Sequence, residues 1–325
     1  MDTLKRNLIW AGIFGQLLCY SIIWLFDWEF ILRWFYPIIW WSYLFIVDGV
    51  IYRLKGNSLI VNRTKSFLLM LPWSVIIWLV FELFNLRLQN WSYQLLAPVL
   101  WQRWLGYFIS FATVLPAVFE TDELLEALGM LCLKGGNEKE STLAGRKYFK
   151  LLLGLGIIFI MLPLVFPQYF FPLVWVAFIF LLEPVNNRLS KASLFLQREY
   201  PRIIRLAVAG FICGIFWEAW NYKAQASWVY SLPYFNCCKI FAMPVAGYLG
   251  FMPFALECYL MYKFIIISGY GMDWEAVPAR TDTQSGGPID YQKPPFSGRV
   301  LTAVMMLLFI LSTFYLIDNR TLTVS

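Results

Sequence analysis

About nine stretches of this chain run for close to twenty residues or more with few ionisable side chains: 8–26, 30–52, 67–86, 99–120, 148–166, 169–188, 203–222, 239–267 and 300–317. A helix of about 20 apolar residues is what the hydrocarbon core of a bilayer demands. The stretches are too many and too long for one globular core to bury, since 60% of the residues are apolar and only 14% are charged. The sequence therefore predicts an all-α integral membrane protein of about nine transmembrane helices, with the lipid bilayer as its principal partner.

Basic residues set the expected orientation. Lys5 and Arg6 precede the first span; Arg53, Lys55, Arg63 and Lys65 follow the second; Lys134, Lys139, Arg146 and Lys147 follow the fourth; Arg188, Lys191, Arg198 and Arg202 follow the sixth. The connections at 27–29 and 167–168 carry no Lys or Arg. By the positive-inside rule the N-terminus is cytoplasmic and the C-terminus outside, in what reads as a bacterial inner (plasma) membrane. The first span continues into DWEFILRW rather than a small-residue cleavage site, so it is expected to stay as a signal anchor. The net charge of +6 belongs to these loops and an anionic leaflet, and no basic segment has the aromatic interleaving of a nucleic-acid surface.

The chain also reads as if written twice. Residues 37–59 match 172–194 without a gap: Pro37 with Pro172, Trp40 with Trp175, Asp48 with Glu183, Arg53 with Arg188 and Ser58 with Ser193, each pair 135 apart. Glu82, Asn85, Arg87 and Gln89 then match Glu218, Asn221, Lys223 and Gln225 at 136, and Trp91, Tyr93, Pro116 and Glu120 match Trp228, Tyr230, Pro253 and Glu257 at 137. Agreement at acids, amides, prolines and tryptophans in constant register is not cheap, unlike agreement among apolar residues. The expected organisation is a tandem duplication of a four-helix unit plus one C-terminal helix: a first repeat at 1–134, a second at 135–271, a polar cytoplasmic linker at 272–298, and a ninth helix with a short outer tail at 299–325. An even number of spans per unit makes the repeats parallel, related by a pseudo-twofold axis along the membrane normal. The ninth span has no counterpart and is expected as an appendage.

Glu82, Asn85 and Gln89 fall at i, i+3 and i+7, as do Glu218, Asn221 and Gln225, so each trio is expected on one helix face. Glu120 and Glu257 stand four residues after Pro116 and Pro253, near the cytoplasmic side, with Asp48, Glu183, Arg53 and Arg188 as a further structural layer. An ionised carboxylate at the bilayer centre costs about 3 kcal/mol or more, so these acids must face the bundle interior, water or a basic partner. One reading makes them clamps, with Glu82 bonded to Arg103 and Asp48 to Arg53. A second makes them the lining of a path that binds or transports a small solute or cation between the repeats, with 241–254, FAMPVAGYLGFMPF, as a broken segment along it. A third makes the bundle an enzyme whose carboxylic acids protonate a lipid or isoprenoid while tryptophans and tyrosines stabilise positive charge.

Solute binding or transport through Glu82, Asn85, Gln89, Glu120, Glu218, Asn221, Gln225 and Glu257 is the reading the sequence supports first. The lipid enzyme and the non-catalytic subunit or scaffold stand behind it. Trp217 and Trp220, flanking Glu218, are expected at a cavity wall, whereas Trp28, Trp34, Trp91, Trp101, Trp228 and Trp274 fit an interfacial belt. The chain has no histidine, which excludes His-ligated metal, Ser-His-Asp and Cys-His catalysis. Its six cysteines form no CxxC, and no cofactor or metal is expected.

Overall fold

The computed structural model describes residues 2–26, 29–130, 144–190, 193–195, 199–234, 237–270, 274–275 and 296–322. Among them are nine helices or helix pairs long and apolar enough to cross a membrane. In chain order these are α1 (Asp2–Phe26), α2 (Glu29–Lys55), α3 (Thr64–Leu88), and α4 (Leu100–Phe111) with α5 (Val114–Ala127). They continue with α6 (Ala144–Val165), α7 (Pro167–Phe170) leading through a 3-10 turn into α8 (Val174–Ser190), α9 (Tyr200–Lys223), α10 (Phe251–Gly269) and α11 (Phe296–Arg320).

Prolines decide where these helices stay whole. Pro37 remains inside α2, where it cannot donate to the carbonyl of Arg33. Pro172 lies in the 3-10 turn at 171–173 that divides α7 from α8. The region expected to be helical from 239 starts later. Residues 239–244 form a small hairpin, β3 (Lys239–Ile240) against β4 (Met243–Pro244), and a 3-10 stretch at 245–250 leads into α10. The left-handed backbones of Cys238 and Phe241, at φ 52° and 55°, are incompatible with a continuous helix there.

Two strands absent from the sequence-based expectation complete the fold. β1 (Trp91–Gln94) and β2 (Ser227–Tyr230) pair antiparallel, Trp91 opposite Tyr230 and Tyr93 opposite Trp228. Each strand places its Trp and its Tyr two residues apart, so the two Trp-Tyr pairs share one face of the ribbon. The Tyr93 N–H donates to the carbonyl of Thr321 just beyond α11 (2.8 Å), so the last helix is tied to the ribbon's outer edge.

The ninth helix is therefore no loose appendage. Asp318 accepts from Arg103 Nε (2.9 Å), Arg103 Nη2 (2.8 Å), Trp104 Nε1 (2.9 Å) and Tyr107 Oη (3.0 Å), pinning α11 to α4. At the opposite end of the bundle, Lys55 and Arg63 pair with Glu123, and Arg205 pairs with Asp122. Close packing between α9 and α10 needs a residue without a side chain: a Cβ on Gly210 would stand 2.3 Å from the carbonyl oxygen of Phe251. The 272–298 linker lies outside the described residues except for Trp274, Glu275 and the start of α11. Trp274 stacks on Phe119 (ring centroids 4.7 Å apart), and Glu275 pairs with Arg202.

Candidate functional site

Glu82 sits in the last two turns of α3, fully buried. Three donors converge on its Oε1: Trp78 Nε1 from one turn back (3.0 Å), and Trp91 Nε1 (3.0 Å) and Tyr93 Oη (2.5 Å) from β1. Its Oε2 is buried without a hydrogen-bond partner. Asn85, one turn on, accepts from the N–H groups of Asn90 (2.9 Å) and Trp91 (3.2 Å), and its amide donates to the Trp91 carbonyl (2.8 Å). The acid thus holds the strand's side chains while the amide holds its backbone.

The same device recurs on α9. Tyr230 Oη donates to Glu218 Oε1 (2.6 Å), Trp228 Nε1 donates to Tyr230 Oη (2.7 Å), and Glu218 Oε2 is again buried without a partner. Asn221 accepts from the Trp228 N–H (2.8 Å) and donates to the Trp228 carbonyl (2.9 Å). Burial, followed by the charge of the neighbouring carboxylate, pushes the phenols of Tyr93 and Tyr230 well above the ordinary tyrosine range, so both remain hydroxyl donors.

Gln89 and Gln225 do not share these faces. Gln89 caps α3 in the left-handed region (φ 53°) and is exposed. Gln225 lies beyond the end of α9, its N–H donating to the Leu32 carbonyl (3.1 Å). Arg103 serves Asp318 rather than Glu82.

Beneath the ribbon, between the two Glu–Tyr pairs, is a chamber of about 520 Å³. Its walls are mainly apolar and rich in aromatic rings: Trp34 and Tyr36 of α2, Trp78 of α3, Trp91 and Tyr93 of β1, Tyr107 and Phe111 of α4, Trp175 of α8, Trp217 of α9, and Trp228 and Tyr230 of β2. The broken segment contributes Met243, Ala246, Gly247 and Gly250, followed by Phe251 and Phe254 of α10. Phe254 forms the floor, its ring within 6 Å of those of Trp78 (5.9 Å), Phe81 (5.2 Å), Trp175 (5.7 Å) and Trp217 (5.7 Å). Gly106 of α4 and Gly250 of the 3-10 stretch both line this space, and a Cβ on either would meet nothing within 4 Å.

The remaining expected residues lie apart. Glu120 and Glu257 are fully buried but absent from the chamber walls. Glu120 lies against the carboxyl of Asp48, and Glu257 accepts from the Phe178 N–H (2.8 Å) with Oε2 left over. Asp48 accepts from Ser58 Oγ (2.9 Å) and the Ile60 N–H (2.6 Å), ten and twelve residues on. Glu183 accepts from Ser193 Oγ and the Phe195 N–H at the same spacing. These acids fix the chain's return after α2 and α8; Arg53 and Arg188 are exposed and do not serve them. Trp217 lines the chamber as expected, whereas Trp220 packs edge-on against Trp40 (4.6 Å).

Among the described residues no group of three or more Cys, Asp or Glu could hold a metal ion. Comparison of the chain with known protein families, curated proteins and solved structures finds no match.

Proposed function

We propose that this membrane protein binds an apolar, chain-like molecule of the lipid or isoprenoid class in the aromatic chamber beneath its ribbon. The observation that carries this is the chamber itself: about 520 Å³, in the range of small-molecule sites, walled by rings contributed from most of the chain's length. Aromatic walls suit an apolar or unsaturated guest and would leave a hydrated ion poorly solvated. The polar solute path read from the sequence would need Glu82, Glu218, Glu120 and Glu257 on a common surface, and none of the four lines this space.

A second reading, proton transfer to an unsaturated guest, is favoured by one arrangement. Tyr93 and Tyr230 line the chamber, and each hydrogen-bonds a buried glutamate behind the wall. Once the phenol turns its O–H from the glutamate to the guest, a carboxylic acid at Glu82 or Glu218 would pass its proton to the phenol oxygen as the phenol proton moves to the guest; at Glu82 the carboxylate left behind is stabilised by the indoles of Trp78 and Trp91.

Two organisational proposals accompany this function. The first is the tandem duplication, with units at 1–134 and 135–271. It is supported by contacts that recur between matching positions: Trp40 with Trp217 and Trp175 with Phe81, Tyr43 with Trp220 and Phe178 with Phe84. The ribbon's register, in which Ser92 faces Val229, its counterpart 137 residues on, is that of a twofold-related strand pair. The second is a cytoplasmic N-terminus. The arginine-rich end lies opposite the ribbon, which puts the chamber in the outer half of the bilayer.

The test is organic extraction of the protein purified from its native membrane in mild detergent, followed by mass spectrometry. A molecule with an apolar chain recovered at near one per protein is the expected result. Recovery of only bulk membrane lipids in bulk proportions would contradict the proposal.

A further inference from the structure

Two arginines line the chamber, and only one of them is neutralised. Arg103 is held on every side: Nε and Nη2 by Asp318, and Nη1 by the carbonyl oxygens of Ala97 (2.9 Å) and Pro98 (3.3 Å). Arg33, in the first turns of α2, is different. Its Nε is buried without a hydrogen-bond partner, and among the described residues no carboxylate forms an ion pair with it. Pro37, also on the wall, withholds a helix hydrogen bond from Arg33's own carbonyl. Arg33 as a whole is half-buried: its Nε is enclosed beside Trp34 and Tyr36, and its terminal nitrogens are left accessible and without a counter-charge among the described residues.

We propose that Arg33 is the anion-recognition residue of the chamber, and that the guest carries an oxyanion, a carboxylate or a phosphate monoester, at one end of its apolar chain. This rests on the chamber reading above. The guanidinium offers a planar fork of donors that matches either head group. The wall supplies no second uncompensated cation, so the guest is expected to carry a single anionic head group. The guest would lie with its head at Arg33 and its chain among the rings leading to Phe254.

The test uses the full-length protein in detergent with cis-parinaric acid, a fluorescent polyene fatty acid, and its methyl ester. The wild-type chain is expected to bind the acid at least tenfold more tightly than the ester. Arg33→Gln should bring the acid down to the ester's affinity without altering the ester, and Arg33→Lys should retain a preference for the acid. Since Arg33 forms no hydrogen bond or ion pair among the described residues and its Nε is buried unpaired, the melting temperature should hold or rise. Competition by dodecanoate and by dodecyl phosphate then separates the two head groups, the stronger competitor naming the head.

Equal affinity for acid and ester, or dodecanol competing as well as either anion, overturns the assignment of Arg33. If Gly106→Phe still displaces both probes, that result leaves the chamber in place. Failure of Gly106→Phe to weaken either probe overturns the chamber, and the assignment with it.

Discussion

Glu82→Leu is expected to destabilise the protein by about 3 kcal/mol or more, while Glu82→Gln should cost far less. Three buried donors, from Trp78, Trp91 and Tyr93, meet at one carboxylate oxygen. A buried donor left without an acceptor costs roughly 1–3 kcal/mol, and leucine strands all three at once. Glutamine keeps the acceptor in place and puts its amide nitrogen where Oε2 already has no partner. Thermal unfolding in detergent separates the two variants. If the glutamine variant is stable yet has lost its ability to process a bound guest, the proton-transfer reading gains, and Glu218→Gln should behave alike. If the leucine variant melts like the wild type, the convergent hydrogen bonds at Glu82 do not hold the ribbon.

Gly106→Phe is expected to abolish guest binding, by tenfold or more, with stability unchanged or slightly raised. The residue is helical, and glycine in a helix costs about 0.5–1 kcal/mol relative to a residue with a side chain. A new side chain at this position enters the chamber and meets no protein atom near its root. Gly250→Phe, on a different element of the wall, should do the same. The pair distinguishes a volume kept open for a guest from a packing defect, because filling a mere defect would raise stability and change nothing else. Loss of guest from extracts of both variants, with melting temperatures at or above wild type, is the expected result. Undiminished guest content in either variant would place the molecule elsewhere.

Much of this architecture was legible in the sequence because hydrocarbon imposes a simple rule: long apolar runs become helices, and the polar residues left within them must find partners. The spacing of Glu82 and Asn85, and of Glu218 and Asn221, singled out the residues that anchor the ribbon. Their partners were hidden, because the strands are four residues each, too short for alternation to stand out from the apolar background. Gln89 was misplaced because the periodic pattern says nothing about α3 ending one residue earlier. Hydropathy likewise could not separate the hairpin at 239–244 from the helix that follows it.

Long-range pairing was the least accessible feature. Nothing local marks Asp318 as the acceptor for Arg103, which lies 215 residues away, and so α11 read as an addition rather than the brace it is. Arg33 carries no mark in the sequence either, since an arginine near a span end ordinarily reads as a headgroup anchor. Its significance depends on the enclosure of its Nε, which only the assembled walls reveal.

The central claim is that the space beneath the ribbon houses an apolar guest rather than a polar path across the bilayer. An electron cryomicroscopy map of the protein in lipid nanodiscs, at a resolution that shows ordered water, tests it directly. Elongated non-protein density running from Arg33 past Trp91 and Trp228 to Phe254 is the expected result. A chamber without such density, with ordered waters continuing from the Glu82 and Glu218 region to Glu120 and Glu257, would contradict it.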